Sequence, residues 1–593
     1  MLQALRYYAK YGQRTTDRVT VYISLSVSAL VILHLGFHKD PELARLIEIG
    51  ILWVFYGLFA FDAFRSLLSI WVNKKIRLQH YVHVVLFLYF VAITISRADG
   101  PGGWTFLQQI EWVYLGIFIF TLTELSRTAL FLDNFYFNPT ILFVISFLGL
   151  ILLGALLLML PRSVESSETL RFIDAAFMAT SAVCITGLTV VDVAHTFTPF
   201  GHTILLILIQ LGGLGIMTFT GFFGYFFSGG LSYKNQLMYG EIIGQRKVGS
   251  VVRTLLKIIF VTLFVEAAGA ILLFFSLPSA EFSTVGDQVF FAVFHAVSAF
   301  CNAGFTLIEN GLNHPAYQFN YDMQLILVSL FILGGLGFSI VFNFYTLFKR
   351  WAINLFQRIF YGRSFTYRAW VISFNSRLMA YSTLILVLVS SLLFFLLEGN
   401  NSLAAHESTG GKVIASIFMG NSARTSGFST VDPAAVSLPM ILVATLLMWI
   451  GASPGSTGGG VKNTTVSVAL LNIISLAKGR DHLEIFKRRI STDSVNKAFA
   501  IIMLSLLAIG LSIALLSFTD GDKGFRALTF EAVSAYATCG LSLGITPNLS
   551  DAGKIIILCT MFVGRVGLLT LLVAIIKNIK NKTYVYPEEK VLF

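Results

Sequence analysis

The sequence predicts an all-α, polytopic membrane protein, and three observations support that fold class. The mean hydropathy of the 593 residues is +0.78. Charged residues make up 12% of the chain, whereas a soluble domain carries about 25%. Long apolar runs recur along the chain, and one short motif occurs four times. This composition disfavours catalysis in water, and we expect that the protein is not an enzyme.

The basic residues indicate how the chain is oriented in a bilayer. The formal net charge is +11, and Lys and Arg cluster between apolar runs, at 74–77, 234–253, 349–368, 478–497 and 577–582. The positive-inside rule assigns such loops to the cytoplasm. A single topology with a cytoplasmic N-terminus satisfies all of them. We therefore predict a multi-pass protein surrounded by the lipid bilayer, with no nucleic-acid partner.

The order of the apolar runs predicts the domain organisation. Four runs come first, at 19–37, 47–72, 81–95 and 110–132. They predict about four extra transmembrane helices within 1–137. The remainder divides into four units, each with a long apolar run, a short apolar motif and a second long run, at 138–232, 233–350, 351–477 and 478–593. This pattern predicts four M1–P-loop–M2 repeats around a central pore.

The short motif reads FMATSAVCITGLT, FHAVSAFCNAGFT, IFMGNSARTSGFS and FEAVSAYATCGLS in the four units. Each copy has Ser or Asn six positions before a glycine, and the glycines are Gly187, Gly304, Gly427 and Gly540. The apolar part, about a dozen residues, forms a helix of about 18 Å. Such a helix cannot cross about 30 Å of hydrocarbon, so it must enter and return on one side. Non-helical backbone at that depth lines water or is buried in protein.

The residues around each glycine suggest a site for a dehydrated monovalent cation. Rings of backbone carbonyls can replace the water ligands of such an ion. Glycine allows the necessary backbone conformations, and the preceding helix directs its negative end towards the ion. The predicted loop cores are Ile185, Thr186 and Gly187; Asn302, Ala303 and Gly304; Thr425, Ser426 and Gly427; and Thr538, Cys539 and Gly540. The alternative is four re-entrant packing elements without an axial pore.

A glycine-rich run, Gly451–Gly460, interrupts the apolar stretch 438–476. A straight helix of that length would be about 58 Å long, so we expect the run to break the span. It begins 24 residues after Gly427, which predicts a position well below the glycine loops. A passive kink is the alternative. Lys462 either anchors this run or marks the cytoplasmic boundary.

Charged residues inside apolar runs need an explanation, and Arg565 is a functional candidate. Arg565 lies within the last run, and burying a guanidinium in a membrane is costly, so a buried one is expected to have a role. Snorkelling to the membrane edge is the alternative.

In the N-terminal region, Asp62 and Arg65 could form an internal pair. A voltage sensor needs Arg at every third position of its last helix, and beyond its first turn the fourth run offers only Glu124 and Arg127. Packing around the core, membrane insertion or dimer contacts are favoured.

Longer motifs carry a family resemblance. QLGGLGIMTF begins at Gln210, IGASPGSTGGGVKNTT at Ile450, GRVGLLTL at Gly564 and YPEEK at Tyr586. Together with the four loops, they resemble the Trk/Ktr/HKT superfamily of potassium-translocating subunits (TrkH/KtrB-like) over about 138–593. The resemblance implies a potassium selectivity filter at the four glycines, the potassium ion as substrate and no bound organic cofactor. Relatives with serine in the first loop tend to pass sodium, so glycine at all four positions implies potassium.

The resemblance also implies a gate, partners and a location. The gate would be an intramembrane loop with Gly451, Gly455, Gly458, Gly459, Gly460 and Lys462, close to Arg565. The partners would be a second copy of the chain and a cytoplasmic ring of nucleotide-binding regulatory subunits (TrkA/KtrA-like), at the cytoplasmic membrane of a bacterium. An ion-coupled secondary transporter of another solute, with broken helices, is the alternative. It predicts inverted repeats, whereas the four repeats here have the same sense.

Overall fold

The computed structural model describes residues 13–37, 41–73, 78–98, 105–128, 139–165, 170–215, 251–278, 281–309, 311–362 and 373–575. This part of the chain is helical apart from its loops and one two-residue hairpin, which confirms the all-α prediction. The described residues form two compact units. The first covers 1–136, 150–185 and 189–334, and the second covers 137–149, 186–188 and 335–593. The basic loop around 234–250 and the C-terminal YPEEK motif lie outside the described residues.

Four helices precede the first motif: α1 (Gln13–Gly36), α2 (Pro41–Asn73), α3 (Leu78–Ala98) and α4 (Ile110–Thr128). They share a core in which Phe55, Ile93 and Phe120 are fully buried. The predicted pair of Asp62 and Arg65 is present at 2.8 Å, and Arg65 also pairs with Glu124 of α4. The arginine therefore joins two of the four helices, because both carboxylates lie within its reach.

Longer and shorter helices alternate between residues 139 and 335. The helices here are α5 (Pro139–Leu158), α6 (Phe172–Cys184), α7 (Val193–Thr196), α8 (Pro199–Leu214), α9 (Val251–Ser276), α10 (Val285–Cys301), α11 (Pro315–Gln318) and α12 (Tyr321–Gly335). Helices α6 and α10 contain the first two motifs. We call them, together with α15 and α19 of the second unit, the motif helices.

The second unit continues the same alternation. Its helices are α13 (Phe338–Tyr361), α14 (Phe374–Glu398), α15 (Thr409–Thr425), α16 (Leu438–Trp449), α17 (Asn463–Ala477), α18 (Thr492–Thr519), α19 (Phe525–Ala537), α20 (Asp551–Val566) and α21 (Leu568–Ile575). Between α17 and α18, β1 (Glu484–Ile485) and β2 (Arg488–Arg489) form an antiparallel hairpin. Short 3₁₀ turns occur at Thr105–Gln108, Pro161–Ser163, Gly311–Asn313, Pro433–Ala435, Gly521–Lys523 and Thr546–Asn548.

Five helices of the described part are long and apolar enough to cross a membrane: Val19–Gly36, Pro41–Leu67, Leu256–Ser276, Phe374–Glu398 and Thr492–Thr519. A sixth span results if Tyr321–Gly335 and Ile340–Phe360 are counted together across the break that separates them. The motif helices have only 13 to 17 residues, as expected for segments that do not cross. The division into four repeats remains a prediction.

The helices that follow the motifs are broken more often than the sequence suggested. In the second and fourth units, the second long apolar run covers 323–348 and 555–579. Each of these runs predicts a continuous span, and this prediction was wrong. Helices α12 and α13 are separated at Gly337, and α20 and α21 at Gly567, whose φ angles are 87° and 83°. In the first unit, α8 ends at Leu214 before Gly215, with φ 71°. A positive φ cannot continue a right-handed helix, so each of these glycines ends it.

Candidate cation site and gate loop

Three of the motif helices end in the same way. The residue after α6, α10 and α19 is Ile185, Asn302 and Thr538, with φ of 56°, 60° and 50°. After α10, the N–H of Ala303 donates to the carbonyl of Ser298 at 2.8 Å. This bond and the left-handed residue form a Schellman-type cap. A left-handed backbone is costly for the β-branched Ile185 and Thr538, and their full burial holds them in it.

The four motif glycines share one backbone feature. Their φ angles are 86° at Gly187, 70° at Gly304, 74° at Gly427 and 95° at Gly540. This is the left-handed region that glycine adopts without the steric cost of a Cβ. The loop backbone therefore has the conformation for which the sequence analysis required glycine.

Two of these glycines also lie directly against a neighbouring loop. A Cβ at Gly427 would clash with the carbonyl oxygen of Cys539, and a Cβ at Gly540 with the carbonyl oxygen of Thr186. Each carbonyl belongs to the residue just before the next motif glycine. Within the second unit, the same backbone contact therefore connects three loops in a row: 425–427 contacts 538–540, and 538–540 contacts 186–188. The loop at 302–304 belongs to the first unit.

Serine side chains fasten the loops to their helices. The Ser298 hydroxyl donates to the carbonyl of Phe305 at 2.8 Å, and the Ser534 hydroxyl accepts from the N–H of Gly540 at 3.1 Å. In the third motif, Ser422 donates to Phe428, whereas Asn421 donates to Ser391 of α14. The predicted equivalence of Asn421 with the serines was therefore wrong. The reason is that α15 continues one residue closer to its glycine than the other motif helices.

Glycines in the following helices pack against the motif helices. A Cβ at Gly212, Gly334 or Gly564 would clash with the carbonyl oxygen of Val183, Phe300 or Tyr536, respectively. Each of these carbonyls lies four positions before a motif glycine. This repeated contact shows that the three glycines allow the helices to pack closely. It also positions the three helix breaks, which come three residues later, at Gly215, Gly337 and Gly567.

The glycine-rich run breaks its span as predicted, because residues 450–462 connect α16 to α17 without helix. The ends of this loop are closed by a bond from the N–H of Gly451 to the carbonyl of Val461, at 2.9 Å. The tip turns back towards the motif loops. A Cβ at Gly459 would clash with the Thr538 hydroxyl, and one at Gly458 would lie 3.4 Å from Cγ2 of Thr425. The predicted position well below the loops was therefore wrong.

Two basic side chains donate hydrogen bonds to the backbone at the tip of this loop. Nη1 of Arg565 donates to the carbonyl of Thr457, and Nζ of Lys462 donates to the carbonyl of Gly458 at 2.6 Å. Both side chains are half-buried. Lys462 thus bonds to the backbone of the loop, as an anchor would, and its place relative to the cytoplasmic boundary stays a prediction. Arg565 contacts the loop backbone, so the snorkelling alternative does not describe it.

Backbone and side-chain contacts fix the base of the loop. The N–H of Phe338 donates to the carbonyl of Gly455 at 3.0 Å. Nδ2 of Asn463 donates to the hydroxyls of Thr383 and Ser453, both at 3.0 Å. Thr383 belongs to α14, so the loop is tied to the helix that precedes the third motif. A passive kink would not require this buried polar network.

The sequence analysis overlooked three buried charged residues near the motifs. Arg424 is 2% exposed and lies three positions before Gly427. Glu531 of α19 accepts a hydrogen bond from the Thr546 hydroxyl, and Glu266 of α9 is 4% exposed. The signal was present in each case, because a charged residue inside an apolar run is unusual.

The helices and the glycine loops define a multi-pass membrane transport protein, not an enzyme. The chain belongs to the TrkH family of cation transport proteins, which it matches over residues 121–585. Most of the N-terminal bundle precedes that match.

The relatives include two proteins named Ktr system potassium uptake protein B. That of Vibrio alginolyticus is 36% identical over 76% of this chain and 93% of its own length. The protein of the same name from Bacillus subtilis is 35% identical, over 77% of this chain and 96% of its own length. The potassium/sodium uptake protein NtpJ of Enterococcus hirae is 31% identical, over 77% of this chain and 97% of its own length. The crystal structure of the potassium transporter TrkH from Vibrio parahaemolyticus has a similar fold, with a TM-score of 0.58 at 16% identity, and the match covers 83% of this chain and 97% of that one.

Proposed function

We propose that this protein carries potassium ions across the cytoplasmic membrane of a bacterium, through a selectivity filter formed by the four motif loops. Potassium is the substrate, and the ligands are mainly the backbone carbonyls of the twelve loop residues around Gly187, Gly304, Gly427 and Gly540. The relatives named as potassium uptake proteins support this assignment. The glycine at each filter position favours potassium over sodium.

The observation that carries the proposal is the contact of Gly427 and Gly540 with the carbonyls of Cys539 and Thr186. A row of carbonyls, each braced by a glycine of the adjacent loop, can take the place of the water around an ion. Because the contact is between backbones, the side chains next to each glycine are free to vary. The four loop sequences differ in this way.

The loop at 450–462 serves as the gate. Its tip occupies the space beside Thr425 and Thr538, which stand two positions before two of the filter glycines. Arg565 and Lys462 hold it there and add positive charge beside the ion path. A hydrated cation therefore meets both a steric obstacle and electrostatic repulsion, and the loop must move for rapid transport.

The sequence resemblance supports further assignments. The protein forms a homodimer, and a cytoplasmic ring of nucleotide-binding subunits moves the gate. The N-terminus is cytoplasmic, because that orientation places the basic loops on the cytoplasmic side. The N-terminal bundle packs beside the transport module. Its Arg65 is paired with Asp62 and Glu124, which suits a fixed structural charge better than a mobile sensor.

Growth and uptake test the proposal together. A bacterium without its own potassium transporters would receive this chain, with and without a candidate ring subunit, and would be grown at limiting potassium. Uptake of potassium and sodium would be measured in the same cells. We expect potassium-dependent rescue and preference for potassium. The potassium assignment would be refuted if neither strain were rescued although the protein is inserted normally in the membrane. It would also be refuted if uptake showed no preference for potassium over sodium.

A further inference from the structure

A buried polar cluster lies behind the second motif loop. Glu266 is within the membrane-crossing part of α9 and is 4% exposed. Its Oε2 accepts a hydrogen bond from Nε2 of Gln210, on α8, at 3.1 Å. Its Oε1 accepts one from Sγ of Cys301, the last residue of α10, at 3.7 Å. A carboxyl group in the membrane is expensive, so this one requires a reason.

The position of Cys301 gives that reason. It directly precedes Asn302, Ala303 and Gly304, whose carbonyls are the proposed ligands of the second loop. The thiol itself is closely confined, because a Cβ at Gly213 would clash with its sulfur. Cys301 is therefore held on one side by the backbone of α8 and on the other by the carboxyl group of Glu266. A shift of the thiol would move the end of α10 and the loop with it.

The loops differ at the position that Cys301 occupies. Three residues before the motif glycine, the chain has Cys184, Cys301, Arg424 and Ala537. Ala537 has no side-chain donor at this position and Arg424 has a guanidinium, so neither can form the thiol–carboxyl contact that Cys301 makes with Glu266. The second loop thus has a support that neither its own helix nor the shared serine contact supplies.

We propose that Glu266 is a specificity-determining residue that acts by positioning: through Cys301 it holds the carbonyls of Asn302–Gly304 at the spacing that suits potassium. The inference rests on the proposed function, since it assumes that these carbonyls form part of the filter. Glu266 does not touch the ion. Its contribution is geometric, and it depends on an oxygen atom that accepts the hydrogen of the thiol.

The ratio of potassium to sodium uptake tests this role, because a purely structural residue would change protein amount or stability and leave the ratio unaltered. We expect Glu266→Leu and Cys301→Ala each to lower the ratio by about fivefold, the effect of losing one buried hydrogen bond. Glu266→Gln retains a carbonyl oxygen for the thiol and should keep the ratio within about twofold of the unmodified protein.

The double variant Glu266→Leu/Cys301→Ala examines the connection between the two residues. If they act through one contact, the double variant should resemble either single variant instead of showing the product of both effects. Cys559→Ala is the matched control, because this thiol is exposed and should not influence the ratio. Membrane content and thermal stability would be measured for every variant. Cys301→Ser has a hydroxyl that can donate to Glu266 in place of the thiol, so it should keep the ratio within about twofold, and Glu266→Leu carries the test if Cys301→Ala does not fold.

The outcomes separate this inference from the proposed function. Gly304→Ser would be measured in the same assay. An unmodified chain without preference for potassium would overturn the proposed function. A preference that Gly304→Ser reduces, but that Glu266→Leu and Cys301→Ala leave unchanged, would overturn the role of Glu266 alone. A ratio that falls equally in Glu266→Gln and Glu266→Leu would also overturn it, because charge and not positioning would then be the cause.

Discussion

The Cα atom of Gly540 lies so close to the carbonyl oxygen of Thr186 that no side chain fits between them. These residues are more than 350 positions apart in the chain, yet their backbones touch. The same relation joins Gly427 to Cys539. Gly427 and Gly540 are therefore required for two reasons. Each adopts a left-handed backbone, and each packs against a carbonyl of the adjacent loop.

Serine at a filter glycine should damage selectivity. In Gly540→Ser, the new Cβ would displace the carbonyl of Thr186, and in Gly427→Ser that of Cys539. We expect each change, as well as Gly187→Ser and Gly304→Ser, to lower the potassium-to-sodium uptake ratio by at least about tenfold. Gly544→Ser is a matched control for a positive φ, because Gly544 has φ 86° but open space beside it. Unchanged ratios in all four filter variants would exclude the filter.

Shortening the loop at 450–462 should release transport. Deletion of residues 456–459 removes the tip that lies against Thr425 and Thr538, and we expect potassium uptake to rise by about tenfold and to depend less on a ring partner. Thr457→Ala is the control, since Arg565 bonds to the backbone carbonyl, which this variant keeps. If the deleted protein reaches the membrane and transports at the original rate, the loop is not a gate.

Arg565 should slow transport through its charge. Arg565→Gln keeps a hydrogen-bond donor near Thr457 but removes the positive charge. We expect uptake about fivefold faster, which corresponds to about 1 kcal/mol of repulsion, with selectivity retained. Arg565→Lys should stay close to the unmodified protein. Rates would be compared at matched protein amount and membrane potential, and equal rates for the Gln and Lys variants would contradict the electrostatic explanation.

Asp520 should stabilise the fourth unit in a pH-dependent way. Burial would raise the pKa of its carboxyl group, but bonds from the N–H and hydroxyl of Ser550, at 2.7 and 2.8 Å, and from Thr519 hold the pKa below its usual range. A depressed folded pKa means that the stabilisation is complete above the unfolded value and is lost as the pH falls through the folded value.

Thermal unfolding of the purified protein would test this stabilisation. We expect Asp520→Asn to lower the midpoint by about 2–4 °C at pH 7 and to remove part of the loss of stability in acid. Asp522→Asn, at a residue whose side chain is 71% exposed, is the matched control. Equal midpoints for Asp520→Asn and the unmodified protein at pH 7 would show that the bonds to Ser550 contribute no stability.

The features that depend on local sequence could be predicted. Composition was sufficient for the fold class, and the length of the motifs was sufficient for short helices. The break at 450–462 followed from a run of Gly, Ser and Pro, and the pair of Asp62 and Arg65 from a spacing of three residues on a helix. Each of these predictions needs only the geometry of one segment.

The features that depend on distant contacts could not be predicted. The tip of the 450–462 loop reaches Thr538 because the chain turns back on itself, and the distance along the sequence does not contain that information. Asn421 occupies the position of a serine in the alignment, but one additional residue of helix in α15 assigns the contact to Ser422. The breaks at Gly337 and Gly567 escaped notice because hydropathy continues through them.

The glycine contacts of the following helices have a mechanical consequence. Gly334 and Gly564 pack their helices against Phe300 and Tyr536, and the breaks at Gly337 and Gly567 come less than one turn later. A change of direction at either break therefore starts just after a point where the preceding helix is fixed. We expect substitutions at Gly337 or Gly567 to redirect α13 or α21 and to leave the ends of the motif helices in place.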